Sequence, residues 1–255
     1  MGSSITTKRS SNVQSVGRAL DLLEALEEAA GSLSISALAE QTGLPVGTIH
    51  RLAQTLVSRG YLRQLPDRRY CLGSRLVNLG AGANALVGIR ARPILRALAA
   101  EFGETANLAV LAGASAEYVA QASGSHTMRM FTEIGRRVPL HCTGVGKALL
   151  SMLDDRDVLR LLQQEGMPAH TSTTLTTQSA MLAELGTIRT RGYAIDEGEM
   201  ELGVRCVAVP LRAGSLMAVS VSGPAIRLTL ELVESGIRSL LRASRRLTEA
   251  LDDRR

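Results

Sequence analysis

From Ser15 onward the apolar residues Val16, Ala19, Leu20, Leu23 and Leu26 recur at helical spacing, with Asp21, Glu24 and Glu27 between them, which predicts an amphipathic first helix. A second helix is expected from Ile35. Ser34 is a side-chain cap of the preferred type, Leu38 and Ala39 continue the apolar stripe, and Gly43 stands where a left-handed residue ends a helix. Pro45 suits the first turn of a third helix, in which Ile49, Leu52, Leu56 and Val57 form the inward stripe. Gly47, Thr48, His50, Arg51, Gln54 and Thr55 then face outward, a surface free of acids. Gly60 closes that helix. Tyr61 to Arg63 and Arg69 to Leu72 read as paired strands around a Pro66-Asp67-Arg68 turn. Helix, turn, helix and arginine-rich hairpin in this order have the layout of a winged helix-turn-helix, a motif that lays one helix in the major groove of DNA. An ordinary solvated hairpin is the competing reading of the last piece.

Ser74 to Arg92 carries Leu76, Leu79, Leu86 and Ile89 among Gly80, Ala81, Gly82 and Ala83, the pattern of a linker helix that packs closely. A second copy of the chain and the chain's own next domain are both open as its packing partner. Pro93 starts or kinks a further helix through Leu95, Leu98 and Phe102. Strands are expected at 107–111 and 117–121, joined by a turn at 112–116, at 204–211 and 216–222 around a turn at 212–215, and over 192–195. Helices are expected at 144–153, 155–164, 179–191 and 228–251. Strands and helices without strict βαβ alternation predict an α/β domain built on an antiparallel sheet. The expected division is a flexible arm at 1–12, containing Lys8 and Arg9, a winged helix-turn-helix DNA-binding domain at 13–73, a linker helix at 74–92 and a second domain at 93–255. The fold class is α+β.

Composition changes this picture little. The 255 residues are 45% hydrophobic and 21% charged, as expected of a soluble chain with real cores. A formal charge of +5 favours polyanionic partners without requiring one. Three cysteines, Cys71, Cys142 and Cys206, are widely separated, form no C-x-x-C pair and have no histidine at zinc-ligand spacing. Reduced thiols in the cytoplasm are expected, with no metal and no cofactor. No apolar run reaches the roughly 18 residues of a membrane span, and the first residues are polar rather than signal-like, so neither membrane nor secretion is expected.

Four segments of the second domain carry candidate chemistry. Thr143-Gly144-Val145-Gly146 reads as a glycine-rich turn into a helix, whose backbone N–H groups suit a carboxylate; glycines that merely permit tight packing are the alternative. Ser220 and Ser222 lie two apart in an apolar strand, so both hydroxyls share one face while Val219 and Val221 take the other. Asp196 follows an apolar strand end, and Cys206 reads first as a buried small hydrophobe. Met128, Met130, Leu140 and Val204 are apolar lining candidates. Aromatic residues are only 2% of the chain, so a ring-stacking cage has few possible members, Phe102, Tyr118, Phe131 and Tyr193, which tilts the reading toward a small polar ligand. His126 and His141 are expected at the surface or as caps.

The motifs TGLPVGTIHRLAQTLVSRGYL, VPLHCTGVGKALL, GYAIDEGEMELGVRCVAVPL and VSVSGP, in this order from Val13 to the last helix, resemble the IclR family of bacterial transcriptional regulators. The resemblance implies winged-helix dimers whose C-terminal domain, similar to GAF and profilin folds, binds a small effector and often builds tetramers. It further implies that Gly144, Val145, Asp196, Cys206, Ser220 and Ser222 contact small organic acids. On the DNA side, Thr48, His50, Arg51 and Gln54 are expected on base edges or phosphates of a double-stranded operator, and Arg63, Arg68 and Arg69 on flanking phosphates. Val46 and Gly47 depart from the family, where many members carry a basic residue and a serine. Two rivals keep the DNA-binding head: a thiol-dependent enzyme with Cys206 as nucleophile and His141 or Asp196 as base, and a redox switch at Cys206 or Cys142.

Overall fold

The structure, a computed structural model, describes residues 13–29, 31–126 and 133–252. The expected arm with Lys8 and Arg9, and the candidates Met128, Met130 and Phe131, lie outside the described residues. Two compact units, Met1–Ala81 and Gly82–Arg255, divide the chain.

The first unit contains α1 (Gln14–Glu28), β1 (Ser32–Leu33), α2 (Ile35–Thr42), α3 (Val46–Ser58), β2 (Leu62–Gln64) and β3 (Tyr70–Leu72). Ser34 Oγ accepts the Ala37 N–H at 3.2 Å, and Gly43 ends α2 at φ +66°, so both boundary signals act as their chemistry predicts. Leu22, Leu26, Leu38, Ile49, Ala53, Leu62 and Tyr70 form the core. The inward stripe of α3 differs from expectation: Ile49 and Ala53 are buried, whereas Leu52, Leu56 and Val57 only lean on the core. Ala53 stands one turn beyond Ile49, and its small side chain lets the helix approach its neighbours. The two-residue β1 was too short to show a period. It pairs with β3, so the wing is a three-stranded sheet of order β1-β3-β2.

The stretch divided at Pro93 in the sequence is a single helix, α4 (Arg75–Phe102), with Pro93 inside it. An internal proline costs about 3 kcal/mol. Ala91, Ile94, Leu95, Leu98, Ala99 and Phe102 are all buried around it, and full burial is worth about 1.5 to 3 kcal/mol for each large apolar side chain, so packing outweighs the lost backbone bond.

The second unit is built on a six-stranded antiparallel sheet of β4 (Thr105–Ala112), β5 (Ser115–Ala122), β6 (Arg137–Pro139), β7 (Ala194–Glu197), β8 (Val204–Ala213) and β9 (Ser215–Pro224). Its order is β6-β5-β4-β9-β8-β7. The helices are α5 (Gly144–Leu150), α6 (Asp155–Glu165), α7 (Gln178–Arg191) and α8 (Leu230–Leu251). Branched residues cover one face: Leu108, Val207, Val209, Val219 and Val221 pack with Leu95, Leu98 and Phe102 of α4 and Leu240 and Leu247 of α8. The opposite face is lined by Ala109, Ala194, Ala208 and Ala218, which pack with Val145, Ala148 and Leu149 of α5 and with residues of α6 and α7. Alanines on that face leave the room that α5 occupies. Three details correct the sequence reading: the edge strand β6 was not foreseen, α5 stops at Leu150, and Asp196 lies inside β7 rather than after it. Among the described residues, no helix is long and apolar enough to cross a membrane.

Candidate functional site

In the first unit His50, Arg51 and Gln54 are exposed on α3, and Thr48 beside them is half-buried. Their common face follows from the burial of Ile49 and Ala53 on the other side. Arg63 and Arg68 are exposed on the wing. Arg68 occupies the left-handed position of the hairpin turn, φ +65°. Arg69 is more committed than expected. Its guanidinium donates to the Ser32 carbonyl and its N–H to Asp67 Oδ1, so it ties the wing to β1 as well as facing solvent.

In the second unit, strand register assembles the other candidates. Thr105 pairs with Ser222, Ser222 with Cys206, and Cys206 with Asp196, which makes a polar row across β4, β9, β8 and β7. Asn107 and Ser220 form the next row on the same face. All six side chains are buried. The α5 helix starts directly above: a Cβ on Gly144 would stand 2.8 Å from Cys206 Sγ, and one on Gly146 only 2.4 Å from the Leu140 carbonyl oxygen. Both glycines are thus required by close packing. Thr143 Oγ1 takes the Gly146 N–H at 3.1 Å and passes its own proton to the Pro139 carbonyl at 2.7 Å, so the turn is capped internally. Val145 belongs to the apolar cluster beneath.

The electrostatics of this patch are dominated by burial. Asp196 is pushed up to about 7, chiefly by desolvation and then by nearby Glu199, against the pull of the Glu199 N–H that it accepts at 2.7 Å. Burial, with Asp196 beside it, drives the Cys206 thiol up to about 12, and the Ser220 and Ser222 hydroxyls temper that rise. Ser220 Oγ lies near this thiol without making a hydrogen bond of regular geometry. Tyr118 is raised by burial and by the neighbouring Cys206 and Asp196, which identifies it as the aromatic candidate at the patch. Phe102 and Tyr193 pack on the opposite face of the sheet. Leu140 is buried in the cluster with α5.

Several groups escaped the sequence reading. Thr105 and Asn107 have the same two-residue spacing in an apolar strand as Ser220 and Ser222, a signal that starting the strand at Asn107 concealed. Lys147 is buried on α5, paired with Glu199 and, at 3.5 Å, with Glu184, which Arg191 also meets at 3.0 Å. A lysine within the otherwise apolar run GVGKALL was its only mark. His141, expected at the surface or as a cap, is buried with Nε2 on the Pro168 carbonyl at 3.0 Å, and burial lowers its basicity. His126 is exposed. The thiol chemistry of the rival readings finds little support here, because Cys142 is also raised to about 12 by burial and by Asp196 and Glu199. Neither buried cysteine is a ready thiolate.

Comparison with known proteins assigns both units. Residues 15–66 match the IclR helix-turn-helix domain and residues 83–249 match the family model described as bacterial transcriptional regulator IclR C-terminal. The chain is 35% identical to the transcriptional repressor IclR of Escherichia coli over 254 residues, which covers 96% of this chain and 92% of that protein. It is 36% identical to the acetate operon repressor of Salmonella typhimurium, covering 93% and 90%. The crystal structure of Thermotoga maritima IclR superposes with a TM-score of 0.60 at 25% identity, over 94% of this chain and 100% of that one. These relatives are regulators, not enzymes, and the chain belongs to the IclR family of DNA-binding transcriptional regulators with a C-terminal effector domain.

Proposed function

We propose that the chain's affinity for operator DNA is set by a small organic carboxylate bound on the α5 side of the sheet, among Gly144, Val145, Asp196, Cys206, Ser220 and Ser222. The observation that carries this reading is the buried row Thr105–Ser222–Cys206–Asp196 with Ser220 beside it. On a sheet face otherwise lined with alanine, the fully buried Ser220 hydroxyl, which makes no hydrogen bond of regular geometry, gains nothing in stability, so a ligand is the natural recipient of its hydrogen bond. A carboxyl held near 7 fits the same ligand, since its protonated form donates to a carboxylate at neutral pH. On the DNA side, the acid-free outward surface of α3 supports base or phosphate contacts by Thr48, His50, Arg51 and Gln54, with Arg63, Arg68 and Arg69 on flanking phosphates. Two copies would act together. The exposed stripe Leu79, Leu86 and Ile89 on α4 recurs at seven- and three-residue spacing, as an apolar helix seam does.

The test compares two variants by gel shift and by thermal shift against a panel of two- to seven-carbon carboxylates, with the matching amides as controls. Arg51→Ala is expected to lose about 1 to 3 kcal/mol of operator affinity and keep its ligand response. Ser222→Ala is expected to keep ligand-free operator affinity and lose most of the response. Undiminished DNA binding in the first variant, or undiminished ligand response in the second, overturns the corresponding half of the reading.

A further inference from the structure

We propose that His141, Cys142 and His170 form a binding site for a thiophilic divalent cation of the zinc class, with one coordination position left open. Each offers one donor atom, and these atoms all lie within 4.8 Å of one another. The sequence hid the group, because the first two residues are adjacent and the third stands 28 positions later on a different loop.

Bonds of about 2.0 Å to nitrogen and 2.3 Å to sulfur at tetrahedral angles set donor separations of roughly 3.3 to 3.6 Å, so the cluster needs up to about 1.5 Å of closure. His141 and Cys142 are buried and fixed, whereas His170 is exposed and able to supply that movement. Its backbone is already held. The His170 N–H donates to Thr174 Oγ1 at 3.0 Å, and that hydroxyl donates to the Glu199 carbonyl at 2.6 Å. Thr171 Oγ1 reaches the Gly198 carbonyl at 2.7 Å, which pins the same loop a second time.

The surroundings match a metal site in two further ways. If Nε2–H of His141 donates to the Pro168 carbonyl, Nδ1 carries the free lone pair, and such a backbone-anchored imidazole is the usual support of a metal-ligating histidine. Pro168 also belongs to the loop that carries His170, so one contact orients both rings, whose centroids are 5.9 Å apart. Beside the Cys142 sulfur, at 3.6 Å, lies the Met200 thioether, a second soft donor. Two imidazoles and a sulfur select zinc-class ions over hard cations such as Mg2+. On binding, the S–H bond breaks as the sulfur–metal bond forms, and the proton leaves to solvent. Three protein ligands leave a fourth position for water or an anionic ligand.

The experiment titrates Co2+ into the untagged, full-length, chelator-treated protein and reads the optical spectrum, with Zn2+ displacing the cobalt and Mg2+ as control. One equivalent is expected to produce a thiolate-to-cobalt charge-transfer band with the intense visible bands of a tetrahedral centre, and Zn2+ to abolish both. Cys142→Ser should lose the charge-transfer band. His170→Ala, at an exposed position that leaves the core untouched, should weaken Co2+ binding by at least about tenfold. Cys71→Ser and Cys206→Ser should keep the wild-type spectrum. Absence of stoichiometric binding, full affinity in His170→Ala, or a band that follows Cys71 or Cys206 overturns the proposal. Should Cys142→Ser fail to fold, His170→Ala still decides the matter, because its circular dichroism reports folding separately from its cobalt affinity.

Discussion

The two units store their polar groups in opposite ways. In the winged helix the groups suited to DNA are exposed apart from the half-buried Thr48, and its core consists of aliphatic side chains and Tyr70. In the second unit Thr105, Asn107, Lys147, Asp196, Glu199, Ser220 and Ser222 are buried among alanines and valines. An exposed polar residue costs folding almost nothing, whereas a buried one must be satisfied by a partner or retained at the expense of stability. Reading DNA and sensing a ligand thus place different demands on the same chain. Mutations that alter the reader should leave folding alone, and mutations that alter the sensor should move folding and function together.

The largest effect is expected at Lys147. It is nearly inaccessible between Glu199 and Glu184, and Glu199 is itself held above the ordinary carboxylate range by burial. Lys147→Met leaves that carboxylate buried without its cation, and such a loss typically costs about 3 to 5 kcal/mol. Urea denaturation at pH 8 should show it. The loss should shrink as pH falls, because burial makes Glu199 take up a proton more readily than in the unfolded chain, and Lys147→Met combined with Glu199→Gln should recover most of it. Arg69→Met in the wing removes an exposed side chain and is expected to cost no more than about 1 kcal/mol. Equal costs at the two positions would erase the contrast between the units.

Next in size is a pH dependence centred on Asp196. Its folded value near 7 lies above the ordinary 3.8, so the folded state binds the proton more tightly than the unfolded chain. The resulting stabilisation is complete below about pH 4 and is lost as pH rises through 7. Asp196→Asn keeps an acceptor for the Glu199 N–H and removes the charge. In metal-free buffer the variant should match the wild type at pH 4 and exceed it at pH 8, by up to about 4 kcal/mol at 1.36 kcal/mol per unit. A variant with the same pH profile as the wild type would show that Asp196 ionises freely in the folded protein.

The same difference explains what the sequence disclosed. The winged helix was legible because its signals are local: Ser34 caps, Gly43 turns left-handed, and Ile49 sets the period of α3. The paired hydroxyls of Ser220 and Ser222 were legible through strand alternation alone. Thr105 was missed for want of a strand boundary, and β1 and β6 for want of length. No local signal announces that Gly144 must sit on Cys206, that Lys147 is buried between two glutamates, or that His170 meets His141 and Cys142. Those juxtapositions exist only after β7, β8 and the threonine-clasped loop are in place.

The smallest effect is the most discriminating, because one chemical change is made in both units. Ser34→Ala removes a hydroxyl that accepts the Ala37 N–H, and loss of such a cap costs about 1 kcal/mol. Ser220→Ala removes a hydroxyl that is fully buried and has no hydrogen bond of regular geometry. Its loss takes only a weak neighbour from the Cys206 thiol, which keeps Ser222 beside it, so stability should stay level or rise by up to about 1 kcal/mol. Chemical denaturation of both variants measures the sign. A cost at Ser220 equal to that at Ser34 would make the hydroxyl a structural one and weaken the argument that this face is kept polar for a ligand. A neutral or stabilising change, accompanied by a reduced response to carboxylates, would mean that the chain keeps Ser220 for something other than its own folding.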